Sequence, residues 1–474
     1  MDLQQFEPDR ALGMPVYLQL YRRYREAIAA GKLHPGDRVP SVRSLASALN
    51  LARGTVEAAY QLLVSEGWFL ARGAAGTVVS PRLARLPDAA GAARLAVVAE
   101  TGRPRSFEQG GRPFQLGLPA LDAFPRKTWA RLAGHDLRML AGAAMFSPDA
   151  AGYLPLRQAI ATYLGISRGI ACSHEQVFVT AGYRGALDLV CRGVLHAGDS
   201  GWHEDPGYLF ARQFLQRSGM RLAPVPVDDE GLQVAQGCRR AGDARFAVVT
   251  PTHQSPTGVA MSLPRRLELL EWAGSRGAWI IEDDYDSEFR YHGRPLPALK
   301  SLDRDGRVLY TGTFSKVLFP GLRLAYLVVP AAQVERFHAV AEHLPGPGSI
   351  LPQASVAGFM QQGHFARHLR RMRALYAERR GYLVDALAGV CGARLQVQPQ
   401  AGGIHVLARL DGRQDDRPLA AAAQAAGLDV QPLSAWRMRR STRGGLLMGF
   451  ANFATAEAAL AAVRRLEAVL ATTG

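Results

Sequence analysis

The chain has little cysteine, very little lysine and no long apolar run, although it is 474 residues long. Its four cysteines, Cys172, Cys191, Cys238 and Cys391, lie far apart, without the paired spacing of a zinc site or a disulfide framework. We therefore expect reduced thiols and no bound metal. No apolar run reaches the roughly 18 residues that cross a bilayer, and the acidic N-terminus does not fit a signal peptide. These absences argue against a membrane-bound or secreted protein and predict a cytoplasmic one.

Lysine is scarce enough to make each one informative. Four of the 56 basic residues are lysines, Lys32, Lys127, Lys300 and Lys316, which leaves 52 arginines. Because a guanidinium does not form an ordinary Schiff base, a lysine within a motif is a candidate for amine chemistry. The net charge of +15 suits a polyanionic partner, but an arginine-rich genome gives the same excess. Charge alone therefore does not decide the function.

The length exceeds what one hydrophobic core usually supports, so at least two domains are expected. In the first eighty residues, apolar periodicity and capping residues predict three helices, and β-rich runs predict two strands around a glycine turn. These elements fall at residues 16–30, from Ser41 onward, 55–66, 68–72 and 77–79. Helix, helix-turn-helix and hairpin is the order of a winged helix.

The remainder of the chain alternates between strand-like and helical segments, which is typical of a parallel α/β sheet. Clear strands are predicted at residues 177–180, 246–249 and 279–281, and a clear helix at 264–274. A long arginine-rich helix at 361–387, followed by strands and helices, predicts a smaller C-terminal α+β subdomain.

Residues between the two parts are rich in Ala, Arg, Gly and Pro without periodicity, as expected of a linker. We predict a DNA-binding winged helix at residues 14–82, a linker at 83–112 and an α/β domain at 113–470.

Two segments of the α/β part carry the residue types that a pyridoxal phosphate site requires. Such a site needs a lysine for the Schiff base, a carboxylate for the pyridine nitrogen, and donors for the phenolic oxygen and phosphate. Asp283 follows an apolar run, so it would lie at the carboxyl end of a strand, where open α/β sheets bind ligands. The further candidates in these two segments are Tyr285, Thr313, Ser315, Lys316 and Arg323.

Two other segments add to this site. Gly182 and Tyr183 follow a predicted strand and open a helix, so their backbone N–H groups could bind a phosphate with help from the helix dipole. Tyr208, in a Pro-Gly loop, offers an aromatic lid. Taken singly each feature has an ordinary structural explanation, such as a helix cap, a solvated loop or plain packing. Their order and spacing carry the prediction.

Two parts of the chain resemble known protein families. Residues 16–79 resemble the GntR-type winged helix, and residues 113–460 resemble fold-type I aminotransferases. That combination is similar to the MocR/GabR class of transcriptional regulators. The most specific strings are residues 35–43, 152–157, 253–258, 282–289 and 312–323.

The resemblance implies a role for each candidate in the site. Lys316 would form the Schiff base with the cofactor, Asp283 would pair with the pyridine nitrogen, and Tyr285 would contact the phenolic oxygen. Tyr208 would stack near the ring, and Arg323 with Thr313 would hold the phosphate. In the head, the resemblance places a set of residues against DNA phosphates or bases: Arg38, Ser41, Arg43, Arg53, Thr55, Arg72 and Gly76.

Three positions depart from the aminotransferase pattern. Ser255 stands where an asparagine usually bonds the phenolic oxygen. Leu447 stands where an arginine usually grips the substrate α-carboxylate, and Ser147 stands where a tyrosine usually reaches the partner subunit's phosphate. Four arginines are candidate substitutes for the missing one: Arg437, Arg439, Arg440 and Arg443. These departures weaken the case for efficient transamination more than the case for cofactor binding, so we expect little or no turnover.

The resemblance therefore implies a homodimeric regulator that binds double-stranded DNA, pyridoxal phosphate and a small amine effector. As a hypothesis, the amine displaces Lys316 from the cofactor, which moves the small subdomain and changes the spacing of two heads on DNA. Two alternatives stay open. One is an active aminotransferase with a vestigial head, and the other is a regulator that senses pyridoxal phosphate itself.

Overall fold

The computed structural model describes most of the chain, namely residues 6–9, 12–81, 111–139, 149–291, 296–398, 400–411, 414–440 and 443–473. It divides into two compact units, residues 1–105 and 106–474. Most of the predicted linker and Ser147 lie outside the described residues, and the predicted domain limits stay predictions. Within the described ranges, no helix is long and apolar enough to cross a membrane.

The first unit contains the predicted three helices and a three-stranded sheet. Its helices are α1 (Val16–Ala29), α2 (Val42–Ala48) and α3 (Arg53–Ser65), and its strands are β1 (Arg38–Val39), β2 (Phe69–Ala71) and β3 (Thr77–Val79). The sheet order is β1-β3-β2, and both pairings are antiparallel.

The apolar faces of these helices close over a small aromatic core. Leu20 and Leu63 are fully buried. The rings of Tyr24, Tyr60 and Phe69 meet edge to face, with centroids 5.2 to 5.8 Å apart. Removing one such ring typically costs about 3 to 5 kcal/mol. The head therefore has its own core.

The head differs from the prediction in small ways. Ser41 caps α2 as predicted, because its hydroxyl accepts the Ser44 N–H at 3.1 Å. Helix α3 begins at Arg53, two residues before the predicted start, since Ala52 already has the extended conformation of an N-cap. Strand β1 was not predicted, because two residues show no alternation to detect.

The second unit is built on an eight-stranded sheet. Its strands are β4 (Val177–Thr180), β5 (Ser200–Asp205), β6 (Arg221–Asp228), β7 (Gly231–Leu232), β8 (Phe246–Val249), β9 (Trp279–Asp284), β10 (Val308–Thr313) and β11 (Ala325–Val328). The order is β4-β11-β10-β9-β8-β5-β6-β7. The run from β10 to β6 is parallel. The edges are not, because β11 is antiparallel to both its neighbours and β7 forms a hairpin with β6.

Helices cover this sheet. They are α4 (Arg126–Met139), α5 (Leu154–Arg168), α6 (Tyr183–Val194), α7 (Leu209–Arg217), α8 (Val234–Arg240), α9 (Leu263–Arg276) and α10 (Val334–Ala341). Strands β4 and β8 are buried along their whole length, which explains why their sequences are continuous apolar runs. The predicted strand at 279–281 continues to Asp284, so its last three residues are acidic but still strand.

The C-terminal part forms the predicted smaller subdomain. It contains α11 (Ile350–Gln361), α12 (His364–Cys391), β12 (Leu395–Val397), β13 (His405–Leu410), α13 (Asp416–Ala425), β14 (Gln431–Pro432), β15 (Gly445–Gly449) and α14 (Ala456–Thr473). Its sheet, in the order β12-β13-β15-β14, is antiparallel throughout. The long helix predicted from residue 361 begins instead at His364, because Gly363, at φ 73°, separates it from α11.

Candidate functional site

Strand β9 sends its acidic side chains to opposite faces of the sheet. Successive residues of a strand alternate in direction, so Glu282 and Asp284 share one face and Asp283 points to the other. Glu282 accepts the N–H groups of Leu299 and Lys300 at 2.7 and 2.8 Å. Only Asp283 of these three lines a cavity at the carboxyl end of the strand.

Asp284 belongs to a buried ion pair rather than to the cavity. Its carboxylate accepts the Arg168 Nε–H at 3.0 Å and the Tyr310 hydroxyl at 2.6 Å. The side chains of Arg168 and Asp284 are only 4% and 2% exposed. The acidic string therefore contains two structural groups and one group that faces the cavity.

The cavity measures about 550 Å³ and brings together every residue that the sequence proposed for the cofactor. These residues come from five separate segments of the chain and meet only in the fold. They are Gly182, Tyr183, Tyr208, Ser255, Asp283, Tyr285, Thr313, Ser315, Lys316 and Arg323.

Lys316 lies at the centre of this cavity. Its Nζ donates to the backbone carbonyl of Gly117 at 3.0 Å. Burial lowers the pKa of Lys316, while Asp286 and Asp283 act in the opposite direction. A lowered pKa increases the fraction of unprotonated amine, which is the form that attacks a carbonyl.

Gly117 leaves room for that amine. Its φ is +71°, and a Cβ placed there would lie 2.2 Å from the Lys316 Nζ. The segment before it is fixed to the small subdomain, since the Phe114 carbonyl accepts the Gly449 N–H at 2.8 Å and the Pro113 carbonyl accepts the Asp429 N–H at 2.9 Å. Residues 113–118 therefore connect the small subdomain to the wall of the cavity.

An anion cradle forms one end of the cavity. Gly182, at φ +79°, is the N-cap of the twelve-residue helix α6, so the free N–H groups and positive dipole end of α6 face the cavity. The Arg323 guanidinium carbon lies 3.7 Å from where a Cβ of Gly182 would be. Arg323 itself has a left-handed φ of 53°. The Thr313 Oγ1 accepts the Ser315 N–H at 3.1 Å, which places both hydroxyl-bearing residues beside the cradle.

Asp283 has the electrostatics expected of a partner for a cationic ring. Burial raises the pKa of Asp283 from its ordinary 3.8 to about 8, and the Tyr183 hydroxyl acts in the opposite direction. An ionised carboxylate here is costly unless a positive charge lies against it. A protonated pyridine nitrogen supplies that charge, so the donor set fits pyridoxal phosphate. Tyr208 lies above this region, with its ring centroid 5.9 Å from that of Tyr183 and 5.8 Å from that of Trp436.

The small subdomain lines the cavity with the apolar side chains of Trp436 and Leu447 and with the polar residues Asp429 and Gln431. Leu447 is fully buried in β15 and packs with Leu407, Leu433 and Trp436, and it lines the cavity together with Trp436. The four arginines considered as substitutes do not line the cavity in the described part of the chain; the two arginines that do are Arg184 and Arg323. A carboxylate at Leu447 would therefore meet no cation on this wall.

Several residues of the site were missed from the sequence. His253 Nδ1 lies 3.0 Å from both the Tyr285 hydroxyl and an Asp286 oxygen. Glu204 is buried with a pKa raised to about 7 by burial, and it accepts the Thr250 hydroxyl at 2.6 Å. The only available signal was that these polar residues follow apolar runs, a pattern that solvated loops share.

The DNA-binding candidates lie on the surface of the head. Arg43, Arg53 and Arg72 are exposed, and none of them forms an ion pair with another described residue. Arg38 differs, because its guanidinium donates to the Ala75 carbonyl at 2.6 Å and so holds the turn between β2 and β3. The Ser41 hydroxyl accepts the α2 cap bond. Thr55 is half-buried, whereas Gly76 is exposed in that turn at φ +89°.

Comparison with known proteins identifies both units. Residues 16–79 match bacterial regulatory proteins of the gntR family, and residues 126–447 match aminotransferase class I and II. The chain is 37% identical to the probable rhizopine catabolism regulatory protein MocR of Rhizobium meliloti, over 94% of this chain and 92% of that protein. It is 33% identical to the pyridoxine biosynthesis transcriptional regulator PdxR of Corynebacterium glutamicum, over 92% and 91% of the two chains.

A solved structure shows the same fold with a cofactor adduct. The α-aminoadipate aminotransferase LysN of Thermus thermophilus, complexed with N-(5'-phosphopyridoxyl)-L-leucine, is 29% identical, with a TM-score of 0.68 over 76% of this chain and 92% of that one. The predicted fold class, a winged helix-turn-helix followed by a fold-type I aminotransferase domain, is confirmed. The chain belongs to the MocR-type transcriptional regulators, in which a gntR-family DNA-binding head precedes an aminotransferase class I and II domain.

Proposed function

We propose that this regulator binds pyridoxal phosphate and uses it to sense a small primary amine. The observation that carries the proposal is that Lys316, a buried amine with a lowered pKa, lines one cavity together with the Asp283 carboxyl and the anion cradle of Gly182 and Arg323. Bound there, pyridoxal phosphate supplies an aldehyde that reacts reversibly with primary amines. We propose little or no catalytic turnover.

Different residues of the cavity would bind different parts of the cofactor. Asp283 would face the pyridine nitrogen, and the N-terminus of α6 with Arg323 would bind the phosphate. Tyr285 would donate to the phenolic oxygen, with Ser255 beside it. Lys316 would provide the covalent attachment.

The apolar wall at Leu447 favours an effector without an α-carboxylate. Placing a carboxylate against Leu447 and Trp436 removes it from water without a charged partner, which costs several kcal/mol. An amine whose other end is neutral, or whose charge lies farther from the nitrogen, avoids that cost. We therefore infer that ordinary α-amino acids are poor effectors.

Hydrogen bonds between the two subdomains would link the occupant of the cavity to the position of the small subdomain. Asp205, at the end of β5, accepts the N–H groups of Met438 and Arg439 at 2.8 and 3.2 Å. The Arg212 guanidinium donates to the Ala435 and Arg437 carbonyls. This segment of the small subdomain includes Trp436, which lines the cavity, so the occupant of the cavity would bias its position. A ligand shifts such an equilibrium by its difference in affinity for the two states.

We also propose that the protein acts as a homodimer. Large apolar side chains are exposed on α4 and α5, namely Leu137, Met139, Leu154 and Ile166. Leu137 and Met139 lie close together at the end of α4, and neighbouring exposed apolar side chains can mark an association surface. Two heads in one dimer would read two half-sites of an operator.

The test is binding of the full-length protein to the duplex upstream of its own gene, measured by fluorescence anisotropy at two stated salt concentrations. A scrambled duplex of equal length is the matched control. Wild type and Lys316→Ala are compared with no ligand, with pyridoxal phosphate, and with pyridoxal phosphate plus candidate amines. We expect specific binding that changes with an amine in wild type but not in Lys316→Ala.

The pyridoxine biosynthesis relative supports a second candidate, in which the cofactor itself is the signal. In that case pyridoxal phosphate alone would change DNA affinity and amines would add nothing. If DNA affinity responds to neither pyridoxal phosphate nor amines, the sensing proposal is refuted. Steady production of oxo acid from an amine donor would favour the enzyme alternative.

A further inference from the structure

A small polar chamber is lined by His253 and Asp286, and His253 contacts the Tyr285 hydroxyl. It measures about 10 Å³. Among the described residues that line it, five side chains have a buried polar atom without a hydrogen-bond partner: Thr252 Oγ1, His253 Nε2, Asp286 Oδ2, Ser287 Oγ and Arg290 Nε. Such groups are normally satisfied. Five such polar atoms in one place close to Tyr285 indicate that these side chains do more than fill space.

The two ring nitrogens of His253 face different chemistry. Nδ1 lies 3.0 Å from an Asp286 oxygen, and a carboxylate oxygen only accepts hydrogen bonds. Nε2 faces the chamber, where the hydroxyls of Thr252 and Ser287 can donate to it through a water molecule. The proton of His253 therefore belongs on Nδ1, whether the ring is neutral or charged.

The ring of His253 is also held in place. Gly403, at φ +88°, has no side chain, and a Cβ there would lie 2.2 Å from His253 Cε1. The His405 ring lies on another side, with its centroid 5.8 Å from that of His253. These contacts keep His253 Nδ1 aimed at Asp286 and at Tyr285.

This arrangement has a consequence for Tyr285, whose hydroxyl is also 3.0 Å from His253 Nδ1. Because Nδ1 already carries a proton, the Tyr285 oxygen can only accept from it. The Tyr285 proton must then point elsewhere, and the cavity side offers Ser255 and the place of the cofactor's phenolic oxygen. We propose that His253, fixed by Asp286, is a positioning residue that keeps the Tyr285 proton directed into the ligand cavity. The inference rests on the proposed binding of pyridoxal phosphate.

The other titratable groups around Tyr285 are consistent with a donor there. Burial raises the pKa of Tyr285, and Asp286, Asp283 and Glu204 act in the same direction. His405 stays neutral, because burial and then His253 lower its pKa to about 4. Burial lowers the pKa of Lys316, and Asp286 and Asp283 act in the opposite direction. Tyr285 therefore keeps its proton over the pH range in which the cofactor is titrated.

The test uses two amide variants of the full-length, cofactor-loaded protein. In His253→Asn the amide nitrogen can occupy nearly the place of Nδ1 and donate to Asp286. In His253→Gln the amide reaches the place of Nε2 instead. Each variant is titrated with pH, and the midpoint of the change in the cofactor's absorbance is measured.

A donor to the phenolic oxygen makes the linkage between the cofactor and Lys316 less basic. Losing the donor should raise the midpoint, by about one pKa unit for a hydrogen bond to a charged group. We expect His253→Gln to show this rise and His253→Asn to titrate like wild type. Tyr285→Phe should show at least the same rise, and adding His253→Gln to Tyr285→Phe should add nothing further.

Three outcomes overturn the inference. The first is a pH midpoint in His253→Gln equal to that of wild type, and the second is an equal shift of the midpoint in both amide variants. The third is a midpoint shift in the double variant that equals the sum of the His253→Gln and Tyr285→Phe shifts. A normal cofactor absorbance with an unshifted midpoint overturns this inference alone. No cofactor absorbance in wild type overturns the proposed function as well. An unchanged circular dichroism spectrum for each variant checks that the protein is folded.

Discussion

The neighbouring residues Asp283 and Asp284 should respond in opposite ways to the same substitution. Asp283→Asn is expected to stabilise the cofactor-free protein at neutral pH. Burial raises the pKa of Asp283 from 3.8 to about 8, so between these values the native state keeps a proton that the unfolded state releases. Native stability therefore falls as the pH rises through this window.

The magnitude follows from the width of that window. One pKa unit corresponds to about 1.36 kcal/mol. The free energy by which Asp283 destabilises the native state therefore grows by roughly that amount per pH unit above 3.8 and levels off near pH 8. At pH 7 this gives about 4 kcal/mol, and relaxation of the site reduces it to about 2 to 4 kcal/mol. Asparagine mimics the protonated carboxyl and removes the cost.

Asp284→Asn is the matched control on the opposite face of the same strand. It breaks the buried ion pair with Arg168 and weakens the bond from Tyr310. Removing one partner of a buried pair typically costs about 3 to 5 kcal/mol, and Glu288, 3.3 Å from Arg168, offsets part of this. We expect Asp284→Asn to destabilise the protein at neutral pH.

The assay is urea denaturation of the cofactor-free full-length proteins between pH 5 and 8.5, followed by tryptophan fluorescence. The difference between Asp283→Asn and wild type should grow with pH. A difference that does not change with pH, or an Asp283→Asn protein less stable than wild type at pH 8, would refute the reasoning. With pyridoxal phosphate added the order should reverse, because the carboxylate then has its cationic partner.

Four further outcomes are expected. Lys316→Ala should abolish the absorbance of covalently bound cofactor and leave circular dichroism unchanged. Gly117→Ala should weaken cofactor affinity at least about tenfold in a fluorescence titration, because its Cβ would lie 2.2 Å from the Lys316 amine and its φ is positive. Leu447→Arg should improve binding of α-amino acids by about tenfold or more, measured calorimetrically, since a charge-assisted pair replaces an apolar wall. Arg43→Ala should weaken operator binding and, if Arg43 contacts a phosphate, reduce the slope of log affinity against log salt by about one.

Much of the site was visible in the sequence because its residues follow strand and helix signals. The continuous apolar runs of β4, β8 and β9 located the carboxyl ends of parallel strands, and Asp283 and Gly182 lie just there. The spacing of Lys316 and Arg323 completed the pattern. The family resemblance then implied roles that spacing alone would not assign.

What the sequence did not reveal depends on contacts between distant segments. Gly117 lies 199 positions from Lys316 along the chain, and His253 lies 33 from Asp286. Nothing local distinguishes a glycine that admits an amine from a glycine in a turn. The apolar packing around Leu447 likewise needs β13 and β15 to be paired, which only the fold reveals.

The bond from Lys316 to the Gly117 carbonyl also concerns how the first segment of the second unit is held. Gly117 follows closely on Pro113 and Phe114, whose carbonyls bond to the small subdomain. A ligand that draws the Lys316 amine away from the Gly117 carbonyl removes one of the contacts that hold the first part of the second unit. The state of the Lys316 amine therefore bears on how firmly this segment is held within the second unit.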